Sequence, residues 1–236
     1  MNRGIESVIR LGIATAFLAI AWLQAPSQET WANLERYAEA NKQLAEPGPN
    51  EKRVVFIGNS VTDLWIGYHP EFFSTNNYVD RGISGQVTSQ ILLRFREDVL
   101  NLKPALVVIA GGTNDAAEAA GPYKPEITLG NFKTMVELAR AHGIKVVIGS
   151  LLPCEKFTWG TTPPDAPATI EHLNRLLRDY AQKEGIPFAD YYTPMVQGKK
   201  KALNPDWTWD HIHPNLEGYK VMESVIKPLI DKELSK

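Results

Sequence analysis

Short apolar runs, several of them β-branched and each stopped by glycine, alternate along this chain with stretches whose apolar residues recur at helical spacing. Val54-Val55-Phe56-Ile57 ends at Gly58, residues 105–110 end at Gly111-Gly112, and residues 145–148 end at Gly149. An apolar run without polar alternation suits a strand covered on both faces, as in parallel sheets. Weaker strands are expected at Tyr78-Val79-Asp80 and Phe188-Ala189-Asp190. Helical stripes lie between them: Val87, Ile91, Leu92, Phe95 and Val99; then Phe132, Met135, Val136 and Ala139; then Ile170, Leu173, Leu177 and Tyr180; last Leu216, Tyr219, Met222, Val225, Ile226 and Leu229.

Strands alternating with helices argue for an α/β protein. The expected architecture is a flavodoxin-like three-layer α/β/α sandwich around a five-stranded parallel sheet in the order 2-1-3-4-5. Ligands bind such sheets beyond the carboxyl ends of the strands. Residues 51–236 form this domain, without an internal repeat. Residues 26–50 are expected to be a helical arm, with Ser27 or Thr30 as its cap and Pro47-Gly48-Pro49 as its stop. Residues 1–25 read as a signal peptide or an N-terminal anchor. Arg3 and Arg10 precede an uncharged apolar run from Leu11 to Leu23, which is short for a membrane span of ~20 residues. Export to the periplasm or the medium is expected, and membrane association only through this segment. Residues 157–167, with Pro163, Pro164 and Pro167, read as an irregular loop over the strand ends.

A net charge of −2 gives no electrostatic case for a nucleic-acid partner. The single basic run, Lys199 to Lys201, reads as a solvated loop. Cys154 is the only cysteine, so neither an internal disulfide nor a cysteine zinc site can form. It reads as a small buried apolar residue. No cofactor is implied.

The residues that bear chemistry follow the expected strands. Ser60, in Gly58-Asn59-Ser60, sits where a strand turns into a helix, a place that lifts a hydroxyl above the sheet. Alone it reads more simply as a helix N-cap. Gly85, in Arg81-Gly82-Ile83-Ser84-Gly85, can bring a bare backbone N–H to a ligand or simply make a turn. Asn114, in Gly112-Thr113-Asn114-Asp115, can offer a side-chain N–H or cap the next helix. In Asp210-His211-Ile212-His213-Pro214, a carboxylate three residues before an imidazole can fix its tautomer. The same turn could be a surface His cluster, or a metal set of Asp210, His211 and His213 with no evident fourth ligand. Together these segments supply a nucleophile, three oxyanion donors and an oriented base, in the order Ser, Asp, His.

These motifs resemble those of the SGNH hydrolases, also called the GDSL family, over residues 53–230. "RVVFIGNSVTDLW", "RGISGQVTSQILLRFREDV", "AGGTND" and "DHIHPNLEGY" are similar to the bacterial branch related to platelet-activating-factor acetylhydrolase and lysophospholipase L1. The resemblance makes Ser60 the block I serine, Gly85 the block II glycine, Asn114 the block III asparagine and His213 the block V histidine, with Asp210 its partner. One departure is Asn59, which stands where the family has Asp and cannot carry its charge. The activity implied is a metal-free serine esterase acting on a small-molecule ester, acetyl-type esters first. A carbohydrate acetylester, a lysophospholipid or a thioester are alternative substrates, and a non-catalytic binding protein is an alternative of another class. Trp65, Trp159, Trp207 and Trp209 are candidates for stacking on a sugar ring, or packing residues. Trp65, Trp159 and Trp209 are carried forward as substrate-binding candidates.

Overall fold

The computed structural model describes residues 28–159 and 165–236. Five strands form one parallel sheet: β1 (Val54–Gly58), β2 (Tyr78–Gly82), β3 (Leu106–Ile109), β4 (Lys145–Gly149) and β5 (Phe188–Ala189), in the order β2-β1-β3-β4-β5. Val54 pairs with Tyr78 on one side and Leu106 on the other. Gly58 and Gly82 therefore finish at the same level, and the loops after β1 and β2 leave the sheet side by side. The fold is the three-layer α/β/α architecture expected from the strand-helix alternation.

The uninterrupted apolar runs are buried on both faces. Val55, Ile57, Val107, Ile109 and Ile148 pack under α1 (Pro125–Ala141) and α2 (Ala166–Glu184), against Phe132, Met135, Ile170 and Leu173. Val54, Phe56, Leu106 and Val108 point the other way, toward α3 (Leu216–Ser235) and an aromatic cluster of Trp65, Phe72, Phe73 and Tyr219. Burying side chains of this size stabilises the fold by ~1.5–3 kcal/mol each before chain entropy is subtracted. Helix ends follow local chemistry. Asp165 caps α2 by accepting from Ala168 N–H (2.9 Å), and Asn215 caps α3 by accepting from Gly218 N–H (3.0 Å).

Several elements differ from expectation. The arm is not one helix. It forms Gln28–Ala32 and Ala38–Gln43, interrupted where Asn33 takes a left-handed conformation (φ 54°). The stripe from Val87 to Val99 divides into Thr88–Leu93 and Phe95–Asp98, and Arg94 between them turns its guanidinium inward. Lys199 to Lys201 lie at the tip of a two-stranded antiparallel ribbon, Val196–Gln197 with Ala202–Leu203, which the sequence pattern did not signal. Residues 1–27 and 160–164 lie outside the described residues, and with them the apolar run from Leu11 to Leu23 and most of the proline-rich loop. Among the described residues no helix is long and apolar enough to cross a membrane.

Candidate active site

Gly58, the last residue of β1, leaves room for nothing larger: a Cβ there would lie 2.2 Å from Thr62 Oγ1 and 2.9 Å from the Ala110 carbonyl oxygen. Asn59 then caps a short helix, Ser60–Asp63, its Oδ1 accepting from Val61 N–H at 3.2 Å. Ser60 is the first residue of that helix, so its N–H lies outside the intrahelical ladder. Its hydroxyl meets His213 Nε2 at 2.8 Å, across more than 150 residues of chain.

The partner of that imidazole comes from its own turn. Asp210 Oδ2 lies 2.7 Å from His213 Nδ1, while Asp210 Oδ1 accepts from the N–H groups of Ile212 (2.9 Å) and His213 (2.7 Å). Burial by itself would raise the Asp210 carboxyl, but the His213 and Ile212 hydrogen bonds outweigh it and hold the group below its ordinary value. An ionised Asp210 keeps the proton on Nδ1, which leaves Nε2 as acceptor for the Ser60 O–H. Both ring nitrogens of His213 are thus engaged by side chains, and among the described residues no three His, Cys, Asp or Glu side chains are grouped as a metal set. Trp209, 58% exposed, stacks on the same ring with centroids 5.6 Å apart.

Gly85 has φ 81°, which favours glycine. Its loop is fastened beside the Ser60 helix, since Ser84 N–H and Oγ both donate to Asp63 Oδ2 (3.0 and 2.5 Å). Asn114, 5% exposed, donates from Nδ2 to the Gln86 carbonyl (3.0 Å) and accepts at Oδ1 from Trp159 Nε1 (2.9 Å). Ser60 and Asn114 line one narrow pocket, closed by Val61, Leu152, Cys154, Trp159 and Ile212, with room for about one water-sized group. The Cys154 thiol in its wall is pushed up to about 12 by burial, so it is an inert apolar group.

The three carried-forward tryptophans separate. Trp65 is 2% exposed, stacked on Phe72 and Tyr219 in the core, and its Nε1 donates to Glu223. It has no face left for a ligand. Trp159 is half-buried and bonded to Asn114. Only Trp209 offers an open ring.

Two features escaped the sequence reading. The Arg94 guanidinium, fully buried, donates to the carbonyls of Gly58 and Arg81 (both 2.8 Å), to Gln86 Oε1 (2.6 Å) and to Asp98 Oδ2 (2.9 Å). It thereby ties together the ends of β1 and β2. Asp80 is the other. Burial, reinforced by Asp63, raises its carboxyl to about 7 against the Gly82 hydrogen bond and the charges of Arg81 and Arg94. From about pH 4 to about pH 7 the folded protein therefore holds a proton that the unfolded chain has lost, and stability falls as pH rises. Asp80→Asn keeps the Gly82 contact and removes the titration. Its melting temperature should gain on the parent's across that window. A difference independent of pH would show that Asp80 does not titrate there.

A family model described as GDSL-like lipase/acylhydrolase matches residues 56–221. A solved GDSL-like lipase of Bacteroides thetaiotaomicron is 54% identical, with a TM-score of 0.83 over 85% of this chain and 98% of that one. An acetylxylan esterase of Geobacillus stearothermophilus is 24% identical over 203 residues, covering 74% of this chain and 91% of that protein. An uncharacterised lipoprotein of Bacillus subtilis is 28% identical over 137 residues, half of this chain. The match spans 56% of that lipoprotein's length.

Proposed function

This chain belongs to the GDSL-like lipase/acylhydrolase family, whose members hydrolyse carboxylic esters, and we propose that it cleaves short acyl esters through Ser60, with acetyl esters preferred. The observation that carries the reading is the unbroken contact from Asp210 Oδ2 to His213 Nδ1 (2.7 Å) and from His213 Nε2 to Ser60 Oγ (2.8 Å). Ser60 Oγ attacks the ester carbonyl as His213 takes its proton. The tetrahedral oxyanion is held by the N–H groups of Ser60 and Gly85 and by Asn114 Nδ2–H. His213 then protonates the leaving alcohol, and water releases the acyl group by the same steps. An organophosphonate should label the peptide that contains Ser60, and Ser60→Ala should not be labelled. Labelling that persists in the variant would overturn the assignment, and a merely binding protein would give none in either.

The narrow pocket beside Ser60 supports the short acyl preference. Each added methylene must find room the walls do not offer, and kcat/KM should fall at least ~10-fold from acetyl to hexanoyl aryl esters. A flat profile would remove the pocket from acyl selection. Lysophospholipids and thioesters belong in the same panel.

Acetylated carbohydrate is the second reading, favoured by the exposed Trp209 ring beside His213. An indole so placed can carry the apolar face of a sugar. The similarity to an acetylxylan esterase agrees with it. On this reading Trp209→Ala weakens turnover of acetylated xylo-oligosaccharides more than that of an aryl acetate. Export rests on the Arg-flanked apolar segment at residues 1–25.

A further inference from the structure

Asn114 can serve an oxyanion only if its N–H2, and not its carbonyl, faces the reacting atoms. The two ends of a side-chain amide have nearly the same shape, so packing alone does not choose between them. The choice has to come from hydrogen-bond partners that can play one role each.

Asn114 has two such partners. The Gln86 backbone carbonyl can only accept, and it takes one Nδ2 hydrogen at 3.0 Å. The Trp159 indole N–H can only donate, and it meets Oδ1 at 2.9 Å. A flipped amide would set N–H against N–H and oxygen against oxygen, in a site where Asn114 is 5% exposed. The native orientation satisfies both contacts and leaves the second Nδ2 hydrogen without a partner among the described residues. Trp159 is itself held by an edge-to-face contact with Phe157, centroids 5.5 Å apart, and Phe157 is fully buried.

We propose that Trp159, besides walling the narrow pocket, is a positioning residue whose indole N–H fixes the Asn114 amide in its donor orientation, so that it acts on the rate through Asn114. This rests on the oxyanion role proposed above for Asn114. It separates Trp159 from Trp209, whose open ring suits contact with substrate.

The test is a double-mutant cycle on turnover of an aryl acetate. Asn114→Ala should lower kcat by ~10²–10³. Trp159→Phe keeps an aromatic ring against Phe157 and loses the N–H. It should lower kcat about 10-fold with KM nearly unchanged. In the Asn114→Ala background the same replacement should cost nothing further. Benzothienylalanine at position 159 swaps the N–H for sulfur in the same shape, and it should reproduce the Trp159→Phe effect even if that variant folds poorly. The proposal is overturned by an unchanged kcat in the benzothienyl variant, by effects that multiply across the cycle, or by a loss confined to KM. Unchanged turnover in Asn114→Ala would instead overturn the oxyanion role itself, so the two failures are distinguishable.

Discussion

Replacing Ser60 by alanine is expected to lower kcat for an acetyl ester by several orders of magnitude, on the order of 10⁶ if the three groups act as one unit. The reason is in the contacts. The hydroxyl is the only nucleophile bonded to His213 Nε2, and that imidazole is the only base within reach of it among the described residues. His213→Ala should therefore cost nearly as much, and Ser60→Ala/His213→Ala little more than either alone. Asp210 carries an additional burden. Asp210→Ala removes the acceptor for two backbone N–H groups as well as the imidazole partner, so its melting temperature should also drop. The measurement is steady-state kinetics on the three single variants and the double, with melting curves alongside. Independent, multiplying losses would mean that Ser60 and His213 do not share one proton transfer.

Arg94→Met should destabilise the protein by ~3–5 kcal/mol, the usual cost of leaving a buried charge without its partner. Asp98 would be that charge, since the Arg94–Asp98 pair is almost fully buried at 2.9 Å. The carbonyls of Gly58 and Arg81 would each lose a donor as well. A loss of this size is a large part of an ordinary domain's ~5–15 kcal/mol. Arg94→Met/Asp98→Leu removes both charges and should recover part of it. Urea unfolding of parent, single and double variants reads the effect from the midpoint at constant slope. A single variant as stable as the parent would show that the guanidinium does not hold the two strand ends. The consequence reaches the site, because Gln86 bonds Arg94 through Oε1 and Asn114 through its carbonyl.

The sheet was legible because burial on both faces leaves a mark that polar alternation would erase. Val54 to Ile57 and residues 105–109 could hardly be anything but central strands. Asp210 and His213 were legible for a related reason: three residues of separation and a following proline keep their contact local. Arg94 was not, because its four acceptors come from four separate points of the chain and an arginine in a helical stripe reads as surface. Trp65 and Trp209 look alike in sequence, yet one is 2% and the other 58% exposed. Only the packing of Phe72 and Tyr219 decides between them. The break at Asn33 escaped because no glycine or proline marks it, and its left-handed turn (φ 54°) shows only in the folded arm. Gln86 Nε2 donates to the Ala32 carbonyl there, and the Tyr37 hydroxyl to that of Gly82.

One carboxylate, Asp210, shapes a loop with one oxygen and governs a proton with the other. An amide substituted there would have to present its NH2 either to the imidazole or to two backbone donors, and each choice spoils one of the tasks. Drift at this position is closed from both sides, whereas the Leu152 side chain in the wall of the acyl pocket has no such double duty. New substrate preferences on this scaffold should therefore arise by remodelling the stretch from Leu152 to Cys154, with Trp159 and the His213 turn left as they are.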